Sequence, residues 1–145
     1  MGRESASWSW LRDGVMKTKP QFSLLERVEN GLSAGMPDSH YLICGTSGWI
    51  ELKAVVLPKR TSTAVLGDDH GLNQSQINWA LKYSALCGRT WVFITADPHR
   101  WLISGAHARL MNEMTPDGLT HYARLSVQGK WKPKDWTALV QALSQ

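Results

Sequence analysis

The chain has 145 residues, 43% of them hydrophobic and 19% charged, with a formal net charge of +4. That suits a single folded domain over residues 1–145 and excludes a disordered chain. No apolar run approaches the roughly 20 residues that span a bilayer. The opening MGRESASWSWLRDG lacks the apolar stretch of a secretory signal, so a cytoplasmic protein with no membrane partner is expected.

Residues 4–17 have the composition of a short helix that Pro20 stops. FSLLERVE (22–29) reads as a strand, NGLSAGMP as a turn-rich loop, SHYLIC (39–44) as a second strand and WIELKAVV (49–56) as a third, with GTSG as the tight connection between them. Residues 57–72 carry no period and read as a long, functional loop. NQSQINWALKYSALCG is a good helix, with Asn73 as its cap and Gly88 just past its end. TWVFIT (90–95) is a buried-type strand. DPHRWLISG is expected to be a turn with a short extended piece, AHARLMNEM a short helix, HYARLSV (121–127) an edge strand, and residues 133–143 a closing helix capped near Asp135. Three sequential strands followed by a helical crossover predict an α/β fold. Its mixed central β-sheet is flanked by helices in the order α-β-β-β-α-β.

Two residue classes stand out. Cys44 and Cys87 lie among apolar neighbours outside any CxxC pair, and so read as buried free thiols. Of eight tryptophans, Trp8, Trp10 and Trp131 sit in polar or basic stretches where an exposed ring would suit base stacking or an interface, with ordinary packing as the plainer account. The five histidines are scattered without ligand spacing.

The chemistry concentrates on the third strand. Alternation puts Trp49, Glu51, Lys53 and Val55 on one face and Ile50, Leu52 and Ala54 on the other. A carboxylate and an ammonium about 7 Å apart on a strand otherwise dressed for burial are costly unless paired or bound to a metal. An edge-strand ion pair is the plainer account. GMPD places Asp38 at the start of the neighbouring strand, and a hairpin around GTSG would bring its carboxylate near Glu51. Two convergent carboxylates attract a hard divalent cation such as Mg²⁺ or Mn²⁺. Such a cation acidifies water and neutralises a scissile phosphate, with Lys53 beside it as a point charge.

GMPD-(x12)-ELK, followed by a helix carrying Gln76, resembles the PD-(D/E)XK nuclease superfamily. The run RVENGLSAGMPD … GWIELKA … NQSQINWAL … GRTWVFI looks most like phage-type nucleases related to the VRR-NUC and archaeal-type Holliday junction resolvase groups. The resemblance covers roughly residues 22–95 and implies a restriction-endonuclease-like core. It also implies a catalytic set of Asp38, Glu51, Lys53 and Gln76, and Mg²⁺ or Mn²⁺ held by Asp38 and Glu51. The family usually adds an upstream acid; Glu29 is favoured here as that metal ligand, with helix-borne Glu4 and then Glu26 as alternatives. Lys17, Lys19, Lys59 and Arg60 are the candidates for backbone contacts with nucleic acid.

The expected activity is endonucleolytic hydrolysis of DNA, on branched or structured substrates in phage replication, recombination or repair, by a homodimer in the host cytoplasm. The competing reading is a non-catalytic DNA-binding or protein-interaction module on the same fold. A sequence-reading restriction-type enzyme is disfavoured by the small size of the chain.

Overall fold

The computed structural model describes residues 2–28 and 33–145. Helix α1 (Arg3–Thr18) buries Ser7, Trp8, Leu11 and Val15, which recur at the three- and four-residue spacing of one helical face. It ends two residues before Pro20, which cannot donate to a continuing ladder. Three strands follow, β1 (Ser23–Arg27), β2 (Ser39–Ile43) and β3 (Thr46–Ala54), paired antiparallel as a meander. The β2–β3 turn needs only Cys44 and Gly45, with φ of 50° and 82°. Two successive left-handed residues match the twist of a tight hairpin, so β3 begins at Thr46, earlier than the sequence suggests.

The segment after β3 holds one short helix, α2 (Gly67–His70), before helix α3 (Gln74–Ala85). The N-terminus of α3 is closed by a reciprocal capping box. Asn73 Oδ1 accepts from the Gln76 N–H at 2.9 Å, and Gln76 Oε1 accepts from the Asn73 N–H at 3.0 Å. Strand β4 (Thr90–Ala96) then returns parallel to β3, as a helical crossover requires.

The rest of the chain departs from expectation in three places. Residues 99–104 form a full strand, β5 (His99–Ser104), because the tight turn at Asp97–Pro98 folds the chain back antiparallel on β4. Segment 106–114 divides into a 3-10 turn (Gly105–His107) and helix α4 (Ala108–Met111). Helix α5 (Pro116–Tyr122) takes up the first part of the expected edge strand. Thr115 caps it by accepting from the Gly118 N–H at 3.2 Å, and Pro116 sits at its start where a missing N–H costs nothing. The edge strand is the shorter β6 (Leu125–Gln128). Helix α6 (Pro133–Ser144) closes the chain, and Asp135 accepts from the Lys132 N–H at 2.8 Å.

The six strands form one mixed sheet in sequential order, β1 to β6, parallel only between β3 and β4. One face carries Tyr41, Ile50, Leu52, Trp91 and Phe93, covered by α1 and α6. The other carries Val92, Ile94, Trp101 and Ile103, covered by the elements between residues 65 and 119. The Tyr41 hydroxyl donates to the Leu143 carbonyl at 2.8 Å and accepts from Trp91 Nε1 at 3.0 Å, tying α6 to the sheet. No helix among the described residues is long and apolar enough to cross a membrane.

Two sequence expectations are corrected. Trp8 is buried in the first core, and Trp10 and Trp131 pack against it with Trp136, with ring centroids 4.6 to 4.9 Å apart. The polar residues around them occupy the other face of α1 and the approach to α6, so neighbours in sequence misreport these rings. Cys44 and Cys87 are free but exposed, not buried. Each occupies a left-handed turn position, at φ 50° and 65°, just beyond the strand or helix whose apolar pattern it adjoins.

Candidate metal centre

Strand pairing builds the site. Ser39 pairs with Ile50 across the β2–β3 ladder, so one further step sets Asp38 opposite Glu51 on the same face of the sheet. Glu51 and Lys53 lie on β3 with side chains to that face, and their charged atoms are 4.0 Å apart. Ile50 and Leu52 point the other way, into the core beneath α1 and α6. The convergence expected of Asp38, Glu51 and Lys53 is therefore what the strands produce.

Helix α3 supplies the fourth member. Gln76 Nε2 donates to Glu51 Oε1 at 2.9 Å, and Lys53 Nζ donates to Gln76 Oε1 at 3.4 Å. The same Gln76 oxygen serves the capping box, so the side chain is fixed from three sides. A small cavity of about 10 Å³, close to the minimum for one water, lies between Gly35, Pro37, Glu51, Gln76 and neighbouring core residues. Gly35 (φ 81°) lets the loop before Asp38 lie against α3, since a Cβ there would collide with the Ser75 carbonyl.

Among the described residues, the upstream acid that reaches this group is Glu4, in the first turn of α1. Glu29 lies outside the described residues. Glu26 pairs with His40 on the exposed edge and is not among the charges acting on Glu51. Glu4 is exposed over much of its surface, but burial of its carboxyl end raises its pKa, and Asp38 raises it further through its charge and a carboxyl–carboxyl hydrogen bond.

Glu51 is 9% exposed. Burial pushes its pKa up to about 8, the Asp38 carboxylate adds to the rise, Lys53 opposes it and Glu4 adds a smaller push. A hydrogen bond from the Asp38 backbone favours the charged form. Lys53 thus leaves an acidic surplus at this end of β3.

Arg27 is the residue that sequence reading missed. Its guanidinium meets Asp38 Oδ2 at 3.4 Å and lies 5.9 Å from the Trp8 ring. The signal was present in the hairpin register, which pairs Arg27 with Ser39, next to Asp38. Ser39 Oγ donates to Asp38 Oδ1 at 3.3 Å from a fully buried position.

The basic candidates are not gathered here. Lys17 and Lys19 stand at the opposite end of α1 from Glu4, roughly 20 Å along the helix axis, and Lys59 and Arg60 are exposed in the segment after β3. All four are surface cations.

The donor set fits a hard, oxygen-seeking cation. Its acids supply carboxylate oxygens only, with no thiolate or imidazole, as magnesium or manganese prefers. No group of three His, Cys, Asp or Glu side chains among the described residues is arranged as a metal cage. The fit is thus to an ion that takes one or two carboxylates and keeps most of its waters. In comparisons with models of known families and with curated proteins, the chain matches none.

Proposed function

We propose that this protein is a metal-dependent endonuclease that hydrolyses DNA phosphodiester bonds, with branched or structured DNA as substrate. The observation that carries the reading is the closeness of Asp38, just before β2, to the buried Glu51 of β3, whose carboxylate it acts on through its charge and a backbone hydrogen bond, with the Lys53 ammonium 4.0 Å from Glu51. A structural ion pair would need one acid for one base. Here three acids, Asp38, Glu51 and Glu4, act on one another around two bases, Lys53 and Arg27, and burial together with the acidic surplus raises the pKa of Glu4 and of Glu51.

Asp38 and Glu51 would hold Mg²⁺ or Mn²⁺. The bound ion supplies charge neutralisation at the phosphate and an acidified water. Lys53, with three donors on a flexible stem, is placed to hold a phosphate oxygen or to steady the attacking water. Gln76 fixes the Glu51 carboxylate and the Lys53 amine relative to each other. Arg27 holds Asp38 from the β1 side, and Glu4 completes the acidic rim. The core order α-β-β-β-α-β, ending in a strand parallel to β3, agrees with the restriction-endonuclease-like architecture that the PD and ELK motifs suggest. Symmetric cutting of a four-way junction requires two such sites, so that substrate carries a homodimer with it.

The test is a cleavage panel of four-way junction, flap, single-stranded and linear duplex DNA, each with Mg²⁺, with Mn²⁺ and with EDTA. Metal-dependent cutting, lost in Asp38→Ala and in Glu51→Ala while DNA binding persists, is the expected result. Failure to cut any of these substrates with either metal overturns the enzyme and leaves a non-catalytic binding module.

A further inference from the structure

A second feature begins where the carboxylates end. His40 and Trp49 pair across the β2–β3 ladder, one pleat from Asp38 and Glu51 and on the same face. Their ring centroids are 4.8 Å apart. Trp49 meets Trp79 of α3 edge-on at 6.1 Å, and Trp79 stacks on Tyr83 at 4.6 Å with an interplanar angle of 11°. Trp79 and Tyr83 follow Gln76 at helical spacing of three and four residues, so they continue its stripe along α3 for about 10 Å. The four rings thus form one line leading away from Glu51.

These rings are not core. Trp49, Trp79 and Tyr83 belong to neither hydrophobic cluster and all four rings remain half-buried, packed chiefly on one another. The line opens into a groove of about 300 Å³ lined by Ser33, Trp79, Lys82, Tyr83 and Leu86. Among the described residues that line it the one charge is the exposed Lys82, and α3 has no acidic residue along its length. Half-exposed aromatic rings along a groove with a cation, and with no carboxylate among the described residues that line it, suit a strand whose bases stack on the rings while its backbone stays in water.

We infer that the line Trp49–Trp79–Tyr83, with Lys82, is a stacking track for an unpaired DNA strand running from the Asp38–Glu51 site along α3. A base in duplex already spends both faces on its neighbours, so only unpaired nucleotides can use such a track. The inference rests on the nuclease reading for its direction and gives that reading a substrate class: DNA single-stranded beside the cut.

The experiment measures binding without cutting, by fluorescence anisotropy of a labelled oligothymidylate of about 12 nucleotides and of a duplex of equal length, in EDTA. The wild-type chain is expected to bind the single strand more tightly than the duplex. Trp79→Leu should weaken single-strand binding on the order of tenfold and Trp79→Phe much less, since a ring remains. Lys82→Glu, at an exposed position with no packing role, should weaken it several-fold and does not depend on how the fold tolerates loss of the indole. Single-strand binding unchanged in both Lys82→Glu and a folded Trp79→Leu overturns the track, as does a wild-type preference for duplex. Cleavage is scored separately with Mg²⁺. Ring-dependent binding without any cutting sinks the nuclease and keeps the track, whereas cutting with ring-independent binding does the reverse.

Discussion

The side-chain amide of Gln76 donates to Glu51 Oε1 at 2.9 Å while its oxygen accepts from the backbone N–H of Asn73 at 3.0 Å. One side chain therefore closes the N-terminus of α3 and aims a carboxylate on β3. Gln76→Ala should lose both, costing about 1 kcal/mol in unfolding free energy from the broken cap. It should also lower metal-dependent cleavage on the order of tenfold or more through a loosened Glu51. Thermal unfolding and single-turnover cleavage, measured on the same preparation, check the two effects; an unimpaired rate would show that Glu51 needs no such anchor.

Glu51 sets a conflict between stability and chemistry. Its folded-state pKa of about 8 lies above the ordinary 4.5, so the folded protein keeps a proton that the unfolded chain has released. The stability tied to that proton is complete below about pH 4.5 and is lost as pH rises through about 8. Glu51→Gln, which stays neutral, should therefore stabilise the metal-free protein at pH 8, on the order of 2 kcal/mol, with little gain at pH 4. The same variant should not cut DNA. Denaturant unfolding at the two pH values decides; equal gains at both would remove the buried-carboxylate argument.

Metal and proton compete for that carboxylate, so Mg²⁺ affinity should climb with pH and level off above about 8. Lys53→Met removes the one cation among the described residues that lowers the Glu51 pKa, and should move the climb to higher pH as well as abolishing cleavage. Titration calorimetry with Mg²⁺ from about pH 6 to about pH 9 would read both shifts. A flat affinity over that range in the wild-type chain contradicts the assignment of Glu51 as a ligand.

Gly35 is a structural hinge-pin for Asp38. Its φ of 81° and the Ser75 carbonyl leave no room for a side chain, so Gly35→Ala should cost about 1–3 kcal/mol. Displacement of the loop would carry Asp38 away from Glu51. Cleavage should fall with stability, whereas Gly2→Ala, in open space, should change neither.

Strand alternation was enough to place Glu51 and Lys53 on one face, and the short GTSG link was enough to bring Asp38 beside them. These are local rules, and sequence carries local rules well. Glu4 ranked behind Glu29, which lies outside the described residues, because nothing in the residues near Glu4 says that its helix end reaches Asp38. That placement depends on Trp8, Leu11 and Val15 seating on a sheet assembled later in the chain. Trp10 and Trp131 pack as the plainer account has it, against the core, because a polar neighbour in sequence says little about the face of a helix buried by a distant partner. Trp49 and Trp79 each read from sequence as ordinary filling in their own strand or helix. Only their meeting across the sheet makes a line of rings. The α5 start, Thr115–Pro116, carried a usable cap signal that was outweighed by the alternating pattern of residues 121–127.

The seating of α1 has a kinetic consequence. The Trp136 ring of α6 lies directly over Gly14 of α1, and Leu11 and Val15 share their core with Leu139, Val140 and Leu143. The first and last helices are thus each other's walls, and closing nearly the whole chain into one loop precedes any reward from their contact. A ribosome-bound chain that has emerged only as far as β6 has the strands on which α1 seats but lacks the helix that walls its other side. On that ordering α1 gains its full packing, and Glu4 its fixed place beside Asp38, only when the last twelve residues of helix arrive.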